Sequence, residues 1–395
     1  ASLNQKSPYG LSFRNTMQAF YDGIRKGEAD PRFAPASARA VISGITDALA
    51  RLPRLPAIPA QPVGTPTPRV LVIGGTGFIG RNLTRRLVEQ GHDVRVLSRG
   101  RGGPFADLAD HVETVGVSLR DEDALADAMT GMDCVYNLAK STDKSWQAAL
   151  ENDVATTERI GRAAMRAGVG RLVHTGTIAS YDMSDAHKTV SEATDFGDME
   201  ARNIYARSKA EGEKRLLAMA AQGLPLVIAR PGIVLGDGGP LQHWGIGRWH
   251  GAGAVRLWGS GRNILPFVLA DDVSDGLILM MTRPEAIGES FNLIGDAMFS
   301  GRDYFDAIHE RTGARLRVSG SNLTALWAVD ALKQGLKRHA LRRKGARPAS
   351  LADWKARGHL SSFDNEKPKQ LLGWTPEPDR DAFWRRAIDE AHLFW

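Results

Sequence analysis

The stretch Val70-Leu-Val-Ile-Gly-Gly-Thr-Gly-Phe-Ile-Gly80 constrains this chain more than any other. Its four leading apolar residues read as a buried strand, and the pattern from Arg81 to Gln90 reads as a helix. Gly74, Gly77 and Gly80 sit between them at every third position. A strand, a tight glycine turn and a helix in that order aim backbone amides at one point, which suits a pyrophosphate. A glycine pattern without its strand and helix would carry little weight, but here both flanks are present.

The texture after Arg69 agrees with this reading. Strand candidates are Val70–Ile73, Asp93–Leu97, Cys134–Leu138, Arg171–His174 and Leu226–Ala229. Helical patterns such as 81–90, 121–129 and 153–167 lie between them. Alternation of this kind predicts an α/β fold, a doubly wound parallel sheet of Rossmann type covered on both faces. With 395 residues, two or three structural units are expected. Apolar residues at 43% and charged residues at 24% exclude a mainly disordered chain. A single cysteine, Cys134, excludes an internal disulfide framework and a multi-cysteine zinc site. His, Asp and Glu show no metal-ligand spacing, so no metal is expected. The apolar runs are far shorter than a membrane span and there is no secretory pattern, so a cytoplasmic protein is expected.

The net charge of +6 is local. Seven of the basic residues, from Lys333 to Arg347, lie in a stretch without acids, and removing them leaves −1. A nucleic-acid partner is therefore not expected.

The second strand ends at Ser98-Arg99 with Arg101 nearby, where an NAD-binding domain usually places an acid for the ribose 2′-hydroxyl. A guanidinium there suits a 2′-phosphate, so NADP is the expected cofactor, with NAD as the alternative. Tyr205 and Lys209 are four apart on one helical face, and a nearby ammonium favours tyrosinate. Thr177 follows the strand 171–174, at the sheet edge where ligands bind in such folds.

With these motifs in hand, the region from Arg69 onward resembles the extended short-chain dehydrogenase/reductase (NAD-dependent epimerase/dehydratase) family. Further support comes from Asn137-Leu-Ala139, Asn152, Tyr181, Arg230-Pro-Gly232, Pro266 to Asp272 and Leu371 to Pro376. The resemblance implies hydride exchange between a nicotinamide and a substrate carbon bearing oxygen. It implies Tyr205 as the proton donor or acceptor, Lys209 holding the ribose, and Thr177 on the reacting oxygen in place of the usual serine. Cofactor contacts are expected from Gly74, Thr76, Gly77, Phe78, Ile79, Gly80, Ser98, Arg99, Ser118, Leu119, Leu138, Ala139, Lys140, Asn152, Tyr205, Lys209, Pro231 and Ile233.

Two departures bear on function. Ser118 stands where the family carries an acid toward the adenine. Leu265 stands where sugar-nucleotide members carry a diphosphate-binding arginine, with Arg262 close by as a substitute. The leading reading is an epimerase or dehydratase of a sugar or sugar-nucleotide. The alternatives are an NADP-dependent ketone/alcohol oxidoreductase, like a 3-beta-hydroxysteroid dehydrogenase, and a non-catalytic NADP-binding sensor. The family also implies a small-molecule substrate and a homodimer. His243, Trp244, Trp249 and His250 follow in a glycine-rich stretch, either packing a loop or stacking on a sugar.

The expected organisation is a helical extension at 1–52 and a proline-rich linker at 53–68. A Rossmann domain follows at 69–235 with 266–292, and a smaller substrate region at 236–265 with 293–395. In the extension, Ser37 is expected to cap the second of two helices. Residues 11–50 resemble the C-terminal helices of glucose–fructose oxidoreductase-like sugar dehydrogenases, which leads to the expectation of a fusion, or its remnant, with an upstream enzyme. The prolines at 53, 56, 59 and 62 match a polyproline II spacer. Finally, 323–341 reads as a helix with Ala325, Val329, Leu332, Leu336 and Ala340 near one side and basic residues at its end. A solvated face, a pocket cover and contact with an anionic membrane surface are the three roles open to it.

Overall fold

The computed structural model describes residues 8–28, 30–51, 65–98, 103–250, 253–341, 348–391 and 393. Arg99, Arg101, the prolines at 53, 56, 59 and 62, and residues 342–347 lie outside the described residues. The chain divides into two compact units, Ala1–Val63 with Trp249–Val255, and Gly64–Arg248 with Arg256–Trp395.

The first unit holds helices α1 (Pro8–Lys26) and α2 (Pro35–Arg51). Phe20 and Phe33 meet edge to face, with centroids 5.6 Å apart. Ser37 is not the cap of α2. Pro35, with its φ fixed by the ring, begins the helix, and the Ser37 hydroxyl donates to the Pro31 carbonyl at 2.7 Å.

The second unit is built on seven parallel strands: β1 (Val70–Ile73), β2 (Val94–Ser98), β3 (Val112–Gly116), β4 (Cys134–Asn137), β5 (Arg171–Thr175), β6 (Leu226–Pro231) and β7 (Ser290–Leu293). Their spatial order is β7-β6-β5-β4-β1-β2-β3. Strands β3 and β7, at the two edges, are not among the sequence-predicted strands. The chain leaves β1 toward one edge and resumes at β4 toward the other, so the crevice between the carboxyl ends of β1 and β4 is the topological switch point.

Helices α3 (Phe78–Glu89), α4 (Glu122–Met129), α5 (Ala155–Ala167), α6 (Ile204–Ala220) and α7 (Ala270–Thr282) cover the sheet. On one face Val70, Val72, Leu83, Leu87 and Leu277 join a buried cluster. On the other, Leu71, Ile73, Leu125, Ile160 and Leu216 form a second. Alternation of side chains along each strand feeds both cores, as a parallel sheet requires. Further along lie α8 (Gly301–Thr312), α9 (Leu323–His339) and α10 (Leu351–Ala356). Among the described residues no helix is long and apolar enough to cross a membrane.

Candidate active site

The glycine turn is built by close backbone approach. Gly74 has φ +82°, and a Cβ there would lie 3.0 Å from the Leu138 carbonyl carbon. At Gly80 a Cβ would lie 2.2 Å from the Gly74 oxygen, so only glycine lets α3 begin this close to β1. Gly77 sits at the N-cap of α3 without a side-chain cap, and its own N–H donates to the Gly74 carbonyl at 3.0 Å. The first amides of α3 therefore lack a side-chain acceptor, and the turn sits at the switch point. This is a cradle that fits a dinucleotide pyrophosphate. Thr76 and Gly77 are exposed on the turn, whereas Phe78 and Ile79 are half-buried.

Two of the predicted catalytic residues, Thr177 and Tyr205, come close together. Thr177 follows β5, is buried, and accepts the Ala179 N–H at 3.2 Å. Tyr205 lies in the first turn of α6, near enough to the Thr177 side chain for that hydroxyl to lower its pKa. It is 42% exposed, beside residues that follow β4 and β5, so it faces the cleft at the carboxyl edge of the sheet, and burial raises its phenol pKa. The Thr177 hydroxyl and the positive charge of Lys140, an exposed residue, pull in the opposite direction.

Lys209 is buried and turned elsewhere. Its Nζ donates to the Ala139 carbonyl at 3.2 Å and lies 3.9 Å from Asp153. Ser208 donates to the same carboxylate at 2.7 Å. The Ala139 backbone is itself held, because Asn137 Oδ1 accepts its N–H at 3.1 Å. Asn137 then offers its amide to His174 Nδ1, also at 3.1 Å, which leaves the His174 proton on Nε2. Burial holds His174 well below the usual histidine range, so it is a neutral spacer.

Beneath Thr177 lies a buried charge network that sequence reasoning had not assembled. Glu213 is fully buried near the Thr177 backbone, which helps lower its pKa against burial, and it pairs with Arg230, whose Nη2 is 2.7 Å from Oε2. Its Oε1 has no hydrogen-bond partner among the described residues. Arg230 also donates to the Tyr181 hydroxyl at 2.6 Å, and Tyr181 donates to Asn292 at 2.8 Å. A Cβ on Gly176 would fall 2.0 Å from Glu213 Oε1, so the glycine of Thr175-Gly-Thr177 makes room for that carboxylate.

The other expected cofactor residues are spread around the same sheet edge. Asn152 lies in a π turn, Leu150–Val154, accepting from Arg120 at 2.9 Å and donating to Asp143 at 3.1 Å. Ser118 is exposed after β3 and Leu119 is half-buried, its carbonyl accepting from Arg159 at 3.0 Å. Ser98 and Pro231 end β2 and β6. Leu138 donates its N–H to Ile73 at 2.9 Å, and Ile233 donates its own to Pro266 at 2.7 Å. Leu265 is buried and Arg262 exposed. His243 is buried close enough to Lys140 to feel its charge, and burial brings its pKa down to about 4. Trp244 is mostly exposed and stacks on Trp258 at 6.5 Å.

A concavity lined by Arg86, Asp275, Asp296, Lys369 and Arg386 lies apart from this cleft. Its cations face carboxylates at 2.5–2.7 Å, which leaves it little charge to offer a ligand. Among the described residues no group of three or more His, Cys, Asp or Glu could hold a metal ion.

Residues 70–293 match the family model described as NAD dependent epimerase/dehydratase family. The chain belongs to that family. Its seven-stranded parallel sheet is the one expected of the family. One relative is the sterol demethylase protein B of Methylococcus capsulatus, 32% identical over 174 residues, 42% of this chain and 51% of that protein. Another is a 3 beta-hydroxysteroid dehydrogenase/Delta 5-->4-isomerase of Mycobacterium tuberculosis, 29% identical over 188 residues, 44% of this chain and 49% of the other. The chain thus spans about half the length of these curated relatives. Among solved structures, gox2253 superposes with a TM-score of 0.67 at 25% identity, covering 81% of this chain and 96% of that one.

Proposed function

We propose that this chain catalyses hydride exchange between a nicotinamide cofactor and a secondary alcohol or ketone, with NADP preferred and an apolar substrate. The observation that carries the chemistry is the placement of a partly exposed Tyr205 near the Thr177 hydroxyl, which acts on its phenol, at the carboxyl edge of the sheet beside the glycine turn. Bound against the glycine turn, the cofactor would supply or accept the hydride. Tyr205 Oη would donate or take the proton on the reacting oxygen, and Thr177 Oγ1 would orient that oxygen. Lys140 would stabilise the phenolate form through space. Lys209, buried under Ala139, would keep a positive charge at the ribose side of the cleft. Glu213 and Arg230, paired beneath the Gly176 turn, would hold the strand end that carries Thr177.

The apolar substrate is supported by Leu265, buried where sugar-nucleotide members place an arginine, and by relatives whose names refer to sterols and steroids. NADP rests on the Ser98-Arg99 sequence at the end of β2. A redox-neutral sugar epimerase or dehydratase is the second reading, supported by Arg262 three residues from Leu265. Denaturing the pure protein and identifying released nucleotide by mass spectrometry separates the two. An empty protein that binds added NADPH and oxidises it with a ketone supports the exchange reaction. Tightly retained NAD supports the redox-neutral cycle, and no affinity for either nucleotide overturns both.

A further inference from the structure

Helix α9 docks through a face that mixes the buried Leu323 with polar contacts, and leaves a wholly aliphatic face outside. Leu323 is buried, the Trp327 indole donates to the Ala349 carbonyl at 3.1 Å, and Asp330 accepts from the Trp354 indole at 3.3 Å. These three residues lie along one face, and the only acid of the helix is thereby turned toward the body of the protein. Opposite that face, Val329, Leu332 and Leu336 are 51%, 67% and 54% exposed. At 3.6 residues per turn they fall within an arc of about 60°, extended by Ala325 and Ala340 to about 80°. Lys333 and Lys337 follow along one border of the stripe, and the last turn carries Lys337, Arg338 and His339. A stripe of large aliphatic residues held outward by a polar docking face is costly for a helix whose only partner is water.

We propose that α9 is an interfacial helix that seats the protein on an anionic lipid surface. The apolar stripe would enter the acyl boundary, and the lysines would extend along their methylene stems to meet the headgroups. Charge decides between a bilayer and a second copy of the chain. From Lys333 to Arg347 the sequence carries seven cations and no acid. Two copies joined stripe to stripe would bring those cations together without counter-charge, whereas an anionic surface offsets them. The inference goes beyond the catalytic reading and does not depend on it. Docking would also bring the surface one element away from the cleft, because α9 contacts α10 through Trp354, and Asp353 of α10 grips the start of α6.

The test is flotation of the full chain with phosphatidylcholine vesicles, with and without phosphatidylglycerol. The chain should float with the anionic vesicles at low salt and be released as salt rises. The double variant Leu332→Asp/Leu336→Asp should lose vesicle partitioning by about tenfold or more, while its thermal midpoint and NADPH binding stay those of the parent. Lys333→Glu/Lys337→Glu should weaken flotation in the same direction. Failure of the parent to float with anionic vesicles overturns the proposal, as does equal flotation of the Asp variant. A dimer that the Asp substitutions dissociate assigns the stripe to a second copy and overturns it equally.

Discussion

Asp353 and Asn203, 150 residues apart in sequence, meet at the start of the helix that carries Tyr205. One carboxylate oxygen of Asp353 accepts the Asn203 backbone N–H at 2.9 Å and its side-chain amide at 3.0 Å. Asn203 in turn caps α6 by accepting the Ala206 N–H at 3.1 Å. The other carboxylate oxygen takes Arg357 at 2.7 Å, and Arg202 Nε lies 3.6 Å from Asp353 Oδ1. Asp353 is a positioning residue in this arrangement, since it sets where Tyr205 stands without reaching the cleft.

Asp353→Ala should therefore strand the buried Arg202 and release the cap together. Breaking a buried ion pair from one side typically costs about 3–5 kcal/mol. A clear fall in thermal midpoint should follow, with turnover reduced by about tenfold or more even well below that midpoint. Asp353→Asn keeps an acceptor for Asn203 and should recover most of the turnover while remaining less stable. Equal turnover of Asp353→Ala and the parent at low temperature would sink the positioning role.

Tyr205 makes a prediction about pH. Its phenol is raised by burial and pulled back by the nearby Thr177 hydroxyl and Lys140. In alcohol oxidation the phenolate is the base, so kcat/KM should climb with pH toward the phenol pKa. Removing the ammonium in Lys140→Met removes a stabiliser of the phenolate, so the climb should move to higher pH. The ketone-reduction direction, which needs the protonated phenol, should keep its plateau to higher pH in the same variant. Tyr205→Phe should lose about 10²–10⁴ in turnover while still binding nucleotide. An unmoved alkaline limb in Lys140→Met would show that another charge governs the phenol.

What the sequence made legible follows the range of the interactions involved. The glycine turn, the Tyr205 and Lys209 spacing and the Thr177 position are local patterns within single elements, and each could be read from its own stretch. Strand β3 could not: from Val112 to Gly116 only its first residue is buried, which leaves it little apolar signal. The partners of Lys140 and Asp353 are set by the crossover connections of the sheet, which no local window contains. Glu213 reads as one more charge on a helix until Gly176 is seen to yield it space. In α9 the spacing picked out the stripe at Ala325, Val329, Leu332, Leu336 and Ala340, but periodicity names a face and not what the face meets.

Gly80→Ala tests the cradle directly. A Cβ at that position would lie 2.2 Å from the Gly74 oxygen and 2.7 Å from the Gly75 Cα, both backbone atoms that cannot swing aside. Overpacking of this kind costs about 1–3 kcal/mol, and the strain falls on the turn itself. Nucleotide affinity, measured by calorimetry, should drop by about tenfold or more while the far-ultraviolet spectrum is preserved. Gly335→Ala in α9, where nothing lies within 4 Å, is the matching control. It should stabilise by about 0.5–1 kcal/mol through helix propensity alone. Unchanged nucleotide affinity in Gly80→Ala would remove the turn from the binding site.

His359 carries the last prediction. Its φ of 45° lies in the left-handed region, and Asn263 holds the turn by donating to the Gly358 and His359 carbonyls at 2.8 and 3.1 Å. The ring is buried, its Nδ1 has no hydrogen-bond partner within the protein, and burial brings its pKa down to about 4, with His243 and Arg202 adding to the effect. The folded state thus refuses a proton that the unfolded chain accepts below the ordinary value of 6.5. Stability must then fall as pH drops from about 6.5 toward about 4, by up to about 3 kcal/mol from this group. Asparagine tolerates the same left-handed backbone and does not titrate. In His359→Asn the thermal midpoint should therefore gain on the parent steadily across that window, whatever the offset at neutral pH. A midpoint difference that stays constant with pH would mean that the folded and unfolded chains take up the His359 proton equally, so that burial does not depress it.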